Sequence, residues 1–516
     1  MNATTVTKTW LIRLATLTFA VLVIHPKPGH AQQPPAAPAA AQGPTLSLSM
    51  QQAITMALET NLGLKSERLN VDVAAQDIVA ARSAFLPILQ SSWSRQTVES
   101  PSFKLADGTT VVPSSATMRA NGTVGQTLPW FGGNYTVSWS GQRISSAGSS
   151  QTYNPLINSS LAVQFVQPMW RDFRIDPARA GLERTQRLHA IADIDLQQRI
   201  VATEANVKLA YLSLVAAIEG RKVAQKNMDV AEDSLRNTRA RVAVGQAPQI
   251  DISTTEASVE SNRDQLIQAE ARIQTQEDLV RSLVLDQARP DFWQLHIEPT
   301  DTIQLQPRQI DEEAAIKSAL SDRLDLIALK RSREITDLNL ELSHNATKPS
   351  VDLSLTYSAS GTGGRQIAAD GITNIGFGSI LGDAFGGSYP TWTTGVVFSY
   401  PLGRSAAQAA VATTELTQKQ QDLAIRQLEL DIVRDVREAA RSVRTSQQRV
   451  QATTAARVAA EKQLDAEERK NAVGLTDTFS LQQKQQVLAG ALSAELNAMI
   501  SYNTALITFQ RVQKIR

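Results

Sequence analysis

Residues 54–64 read ITMALETNLGL, and residues 316–326 read IKSALSDRLDL. The second stretch is the first one again, 262 positions later. Ala57, Leu58, Leu62 and Leu64 fall on Ala319, Leu320, Leu324 and Leu326, and Ala53 and Ile54 fall on Ala315 and Ile316. Downstream, Ala84 falls on Ala346, Pro87 on Pro349, and Leu89 on Val351. These are apolar positions at helical spacing, closed by a proline and followed by alternating residues. A shared proline placement is not what two unrelated amphipathic helices give by chance. The fold is therefore decided by an internal duplication.

The later parts repeat with slightly different spacing, as loop insertions produce. Gln167-Pro168 falls on Tyr400-Pro401, and Val244-Gly245 on Val473-Gly474. Each half reads as helix, strands, a proline stop, a very long helix, a Val-Gly break and another long helix. Between Gly403 and Val473 there is neither Pro nor a further Gly, and Ala, Gln, Arg, Glu and Leu dominate. Such composition favours helix, and about 70 helical residues would run ~105 Å. Helices that long must pack side by side in coiled-coil fashion. The apolar positions are diluted with Ala, and no strict heptad runs unbroken, which suits a helix with more than one neighbour.

The strand regions alternate. Val351, Leu353, Leu355 and Tyr357 interleave with Asp352, Ser354, Thr356 and Ser358, and Tyr135, Val137 and Trp139 with Asn134, Thr136, Ser138 and Ser140. A membrane β-barrel needs this pattern, with lipid outside and water inside. A half-buried soluble sheet gives it too. Trp93, Trp130, Trp139, Trp170 and Trp392, five of the seven tryptophans, lie in or beside the strands. Such rings favour the membrane–water interface. Two strands per half make about four, whereas the smallest bacterial barrels have eight. Other subunits must then complete the wall, because open edges in hydrocarbon leave backbone groups unsatisfied. The first half also holds TLPWFGGNYTVSW, within 119–143, which reads as an extra hairpin turning at Gly132-Gly133. The sequence leaves open whether it joins the wall. Residues 99–118 and 361–390 read as exterior loops.

The 516 residues include 51 Lys and Arg against 50 Asp and Glu, and no cysteine. Disulfides, thiolate metal sites and a lipid anchor on Cys are excluded. Lys8 and Arg13 flank an apolar run, Leu11 to Ile24, ahead of Gly29-His30-Ala31. This reads as a signal peptide, 1–31, and is too short for a membrane span. The segment carries Lys8, Arg13 and Lys27 and no acid, so the mature charge is 1 − 3 = −2. Nothing favours nucleic acid. No later apolar stretch reads as long enough to cross a bilayer. A Pro/Ala-rich tether follows at 32–45, then a first repeat at 46–289, an equatorial segment at 290–310 and a second repeat at 311–516.

Taken together, the chain resembles the TolC-like outer-membrane efflux proteins. The resemblance is carried by residues 48–89 and 312–355, by FSYPLG near residue 400, and by the paired turns VGQAPQID and VGLTDTFS. It covers about 46–514. It implies an α+β membrane protein with two tandem structural repeats, a long antiparallel α-helical coiled-coil barrel continuous with a transmembrane β-barrel. Trimerisation would complete a twelve-stranded barrel, four strands per chain, in the cell outer membrane, with the helices in the periplasm. The turns at Val244, Gly245, Val473 and Gly474 match the family's periplasmic tip, where a periplasmic adaptor (membrane fusion) protein docks on behalf of an inner-membrane transporter. Glycine there also has a purely local reason, since a helix break needs unusual dihedrals.

The family's entrance is often narrowed by acids just past the second turn. This chain has Ser480 and Gln483 at those positions, and keeps Asp251 at the first turn. Three copies of Asp251 could form a cation-attracting ring; a solvated or N-capping Asp is the plainer reading. No catalytic, cofactor or metal set emerges. His189, His296 and His344 are scattered without ligand or triad spacing, and there is no phosphate-binding lysine loop. The expected function is a passive export conduit of a tripartite efflux or type I secretion system. The alternative is an envelope spacer or receptor with surface loops and no transport.

Overall fold

The computed structural model describes residues 44–513 apart from 105, 107, 148–151, 303–307, 369–370, 401, 404 and 474. The signal segment and tether residues 32–43 lie outside the described residues. The chain runs β1 (Thr45–Leu48), α1 (Met50–Thr60), α2 (Leu62–Ser83), β2 (Ile88–Glu99), β3 (Phe103–Lys104), β4 (Thr110–Val111), β5 (Ser114–Thr127), β6 (Asn134–Ala147) and β7 (Tyr153–Pro168). Next come α3 (Pro177–Ala243), α4 (Ile250–Val284), β8 (His296–Pro299), α5 (Glu312–Asp322) and α6 (Leu324–Ala346). The last elements are β9 (Ser350–Ala368), β10 (Gly371–Ile375), α7 (Phe377–Gly386), β11 (Pro390–Ser399), α8 (Ala406–Ala472) and α9 (Thr478–Gln513).

The helices fall into matched pairs. α1 and α5 have 11 residues each, α2 and α6 have 22 and 23, α3 and α8 have 67 each, and α4 and α9 have 35 and 36. A 67-residue helix is ~100 Å long at 1.5 Å rise. The local causes match as well. α1 breaks from α2 at Asn61 (φ −58°, ψ 121°), and α5 from α6 at Arg323 (φ −66°, ψ 124°). Ser49 opens α1 with a capping box to Gln52, and Asp176 caps α3, with Pro177 in its first turn.

Each half has its own core. In the first, Ala53, Ile54 and Ala57 of α1 pack with Val207, Tyr211 and Leu214 of α3 and with Val280 and Val284 of α4. In the second, Ala315 and Ala319 of α5 and Leu326 of α6 pack with Ile432, Val436 and Val443 of α8 and with Tyr502 and Phe509 of α9. The alanines at duplicated positions let the short helices approach the long ones closely. The halves meet where α3 touches α6 and α9.

One stretch of α3 is long and apolar enough to pass as a membrane helix, contrary to the expectation that no later stretch would. Half of it is buried among these core residues, which accounts for its composition.

The main sheet has seven strands in the order β10-β9-β7-β6-β5-β2, with β11 also on β9. The β5–β6 pair is the hairpin that the sequence left undecided. It lies inside the sheet, between β2 and β7. The expectation of four strands per chain is thereby corrected to six long ones, β2, β5, β6, β7, β9 and β11, each of 10–19 residues. A barrel strand needs 9–11 residues to cross the bilayer. The exterior loops are also shorter than expected, because β5 begins at Ser114 and β9 continues to Ala368. α7 then packs on β9 and β7, with Ile380 and Ala384 fully buried. The parallel pairing of β1 with β8 was not expected; four residues of TLSL carry too little pattern to identify.

Candidate functional site: the sheet and the helical tips

Pairing register sorts the sheet into two faces. Leu89 pairs with Val124, Val124 with Val137, Val137 with Val163, Val163 with Tyr357, and Tyr357 with Trp392. Residues directly opposite share a face, so this row crosses all six long strands as one apolar band. The other face carries Ser92, Asn121, Ser140, Ser160 and Ser358. Asn121 Nδ2 donates to Ser92 Oγ at 3.3 Å, and the Ser140 and Ser160 hydroxyls lie 2.7 Å apart. An apolar row across one face and small polar groups across the other are what a wall between lipid and water requires.

The outermost long strands, β2 and β11, each pair on one side only. Trp93 on β2 is 69% exposed and Trp392 on β11 is 77% exposed. These unpaired edges cannot face hydrocarbon alone.

All four junctions between long strands and helices lie at one end of the sheet, where the β5–β6 turn also sits. That turn is pinned to the neck. Phe131 stacks on Phe173 at 5.0 Å, and Gln167 Nε2 donates to the Phe131 carbonyl at 2.7 Å. Gly132 (φ 68°) sits so close to the Asp172 carbonyl that a Cβ would lie 2.3 Å from it. Arg179 Nη2 donates to the Asp172 and Phe173 carbonyls at 2.7 and 3.0 Å. Asn345 Nδ2 donates to Asp172 Oδ1 at 2.8 Å and to the Ile175 carbonyl at 3.0 Å, joining the two halves. Burial pushes the Asp172 carboxyl up against the opposing pull of Arg171 and of the Asn345 hydrogen bond.

At the far end of the long helices sit the two turns. α3 stops at Val244, and Gly245 takes φ 76°. Its N–H donates to the Val242 carbonyl at 3.0 Å, and the Gln246 N–H to the Arg241 carbonyl at 2.8 Å. This double bond pattern is the Schellman stop that glycine permits. α8 stops at Val473, and the Leu475 N–H donates to the Lys470 carbonyl at 2.9 Å, the same outer bond. Gly474 lies outside the described residues. Val244, Val473, Leu475 and Phe479 are strongly exposed, so the turns present an apolar rim.

Asp251 lies in the first turn of α4, half-buried, where a negative charge suits the helix dipole. The capping expectation fails, because the N-cap is Gln249 and makes no side-chain cap. Ser480 lies in the first turn of α9, where its N–H donates to Asp477 Oδ1 at 2.8 Å; Gln483 is exposed one turn on. No hydrogen bond or ion pair among the described residues joins Asp251 to Ser480 or Gln483. Among the described residues the hairpin tips are joined instead by Arg241 Nη1, which donates to Asn471 Oδ1 at 2.8 Å. Thr476 donates to Glu467, and that bond holds the Glu467 carboxyl below its ordinary range. The Ser480 hydrogen bonds do the same for Asp477. Sequence reading missed this second-turn acid. An Asp three residues ahead of Ser480, at the start of a helical run, was the available signal. Nothing in the sequence points to Arg241–Asn471. Among the described residues no cluster of His, Asp or Glu is arranged to hold a metal ion.

A two-faced antiparallel sheet joined to paired helical hairpins, each with one 67-residue arm, is the architecture of an outer-membrane channel protein. The outer membrane efflux protein family matches residues 53–284 and 315–512, two blocks whose starts are again 262 residues apart. The chain belongs to that family and is an outer-membrane protein. It is 23% identical over 462 residues to the outer membrane efflux protein BepC of Brucella suis, covering 88% of this chain and 82% of that one. The fold is shared with the CmeC outer membrane channel of Campylobacter jejuni, at TM-score 0.64 and 14% identity, covering 90% and 85% of the two chains. It is shared too with the outer membrane protein VceC of Vibrio cholerae, at TM-score 0.64 and 15% identity, covering 90% and 97%.

Proposed function

We propose that three copies of this chain form one export duct of a tripartite efflux or type I secretion system. The sheets join into a barrel through the outer membrane, and the helices, two tandem repeats per chain (46–289 and 311–516), form a tunnel in the periplasm. The observation that carries this reading is the sheet itself: an apolar row that crosses all six long strands on one face, and two outer edges left unpaired. Rotational closure satisfies both edges at once. The helices agree. α8 exposes Leu416, Leu423 and Leu430, seven residues apart, and α2 exposes Leu69 and Val73. A seven-residue stripe on a long helix fits a neighbouring helix.

The mechanism is passive. The sequence has no phosphate-binding lysine loop, and in this reading the energy comes from an inner-membrane transporter acting through a periplasmic adaptor. The adaptor docks at the tip turns that Val244, Gly245, Val473 and Gly474 mark in the sequence, against the apolar rim of Val244, Val473, Leu475 and Phe479, and the tip opens when contacts between hairpins are exchanged for contacts with it. Arg241–Asn471 is one such contact. Asp251, Ser480 and Gln483 border the entrance. Two measurements test this reading. The mass of the detergent-solubilised protein should equal three chains, and deletion of the gene should sensitise cells to some toxic compounds or stop a secreted protein. A monodisperse monomer, with unchanged tolerance and secretion in the deletion strain, contradicts it.

A further inference from the structure

The β5–β6 hairpin is inserted between two strands that would otherwise be neighbours. It has the register, faces and anchors of a wall element. β5 pairs with β2 from Ile88↔Gly125 to Glu99↔Ser114, and β6 with β7 from Asn134↔Val166 to Ile144↔Leu156. Its Val124 and Val137 continue the apolar row, and its Asn121 and Ser140 continue the polar one through side-chain hydrogen bonds to both neighbours. Its turn cannot swing away, because Phe131, Gly132 and Gln167 lock it to the neck, and Gln126 Nε2 donates to the Phe85 carbonyl at 2.9 Å. An appendage outside the barrel would need neither the alternation nor pairing along both of its edges.

We propose that this hairpin is part of the barrel, so that the assembled duct closes with three times six, or 18, strands. The inference rests on the trimer reading above. Barrel diameter grows about linearly with strand number. At ~4.8 Å between strands and ~40° tilt, 18 strands give a backbone diameter of about 36 Å, against about 24 Å for twelve. Barrels of 16–18 strands hold an open aqueous channel. The outer-membrane part of this duct is therefore a wide polar pore open to large hydrophilic polymers, and any narrow point lies in the helices.

The chain has no cysteine, so the test starts from a clean background. S92C/N121C and S140C/S160C should each form an intrachain disulfide in outer membranes, while a pair placed on β2 and β7 should not. Disulfides between β2 and β7, with none to the hairpin, overturn the proposal. A variant lacking residues 114–147 should remain trimeric and, with poly(ethylene glycol) added on the exterior side of a planar bilayer, exclude polymers of about 1.5-fold smaller radius than the intact protein. An unchanged cut-off in a trimeric variant overturns the wide pore. If the variant does not fold, the disulfides still decide. A native mass other than three chains removes the trimer reading and leaves the disulfides to report on the wall.

Discussion

Arg241 and Asn471 lie 230 residues apart in sequence, yet the guanidinium of one donates to the amide oxygen of the other at 2.8 Å. Each sits in the last turn of its long helix, so the bond ties the two tips together. Arg241→Ala removes a hydrogen bond to a charged group, about 1.5–3 kcal/mol in a favourable setting. The expected outcome is a longer-lived open state in single-channel records, with the trimer and its melting unchanged. Identical open times in the variant would show that the bond does not hold the tip.

Tyr211 is fully buried, and its hydroxyl lies 2.9 Å from both the Leu48 carbonyl and Asp301 Oδ2. It thereby fastens the equatorial segment to α3. Tyr211→Phe should cost about 1–3 kcal/mol, because the one hydroxyl proton shared between these two acceptors is lost and the Asp301 N–H loses the phenol oxygen it donates to at 3.3 Å. Burial, aided by Asp301, pushes the phenol up to about 12. A raised folded value means stability that is present below the ordinary value of 10.0 and lost as pH rises toward 12. Wild type should therefore lose stability over that window by chemical denaturation, and the Phe variant should lack this component. Parallel curves for the two proteins contradict the assignment.

Asp172 is held at φ 66° with its carboxyl partly buried and raised by desolvation. Its favourable protonated form is lost as pH climbs through the carboxylate range, so at neutral pH the charge is a burden. Asn tolerates the left-handed conformation and keeps an oxygen for Asn345. Asp172→Asn should equal or exceed wild-type stability at pH 7 and lose that advantage below pH ~4. A marked loss at pH 7 would mean that the Arg171 attraction outweighs burial.

The second tip has the opposite linkage. Asp477 and Glu467 are both lowered, chiefly by hydrogen bonds from Ser480 and Thr476. Their contribution is present above the ordinary carboxylate range and disappears as pH falls through their lowered values. Acidification should speed hydrogen exchange in the first turn of α9 before that in the buried cores, and Asp477→Ala should do so already at neutral pH. Equal exchange rates at both pH values refute this.

Leu423 is 63% exposed in the middle of the α8 stripe. Leu423→Glu should dissociate the trimer with little change in helical content by circular dichroism. A trimer that withstands this change, and the same change at Leu416 and Leu430, would mean that the stripe lies outside the interface.

Much of this was legible before any coordinates. Three of the duplicated pairs are the most buried positions of their short helices: Ala53, Ala57 and Leu64 match Ala315, Ala319 and Leu326, and all six are at most 1% exposed, whereas duplicated Leu62 is 54% exposed. Period-2 alternation located the strands, since one residue's slip would turn a whole face. The hairpin was visible as Gly132-Gly133 between alternating runs, but its place in the sheet was not. Which strand pairs with which is fixed by contacts such as Phe131–Phe173, 42 positions apart, and no local pattern encodes them. The tip followed the same division. The Schellman glycine is a local matter and was read; the Arg241–Asn471 bond joins separate hairpins and was not. Asp251 reads from its position as a solvated or N-capping acid or as one member of a ring, and the cap is excluded because α4 begins at Ile250, two residues earlier than that role needs.

The central claim is that the assembled chain is a conduit through the outer membrane. The most direct measurement is single-channel recording from the purified, full-length protein in planar bilayers. The account predicts discrete conductance steps that lengthen in the Arg241→Ala variant. Correctly inserted trimers that pass no current, with the tip intact or loosened, would contradict it and leave an envelope spacer as the better description.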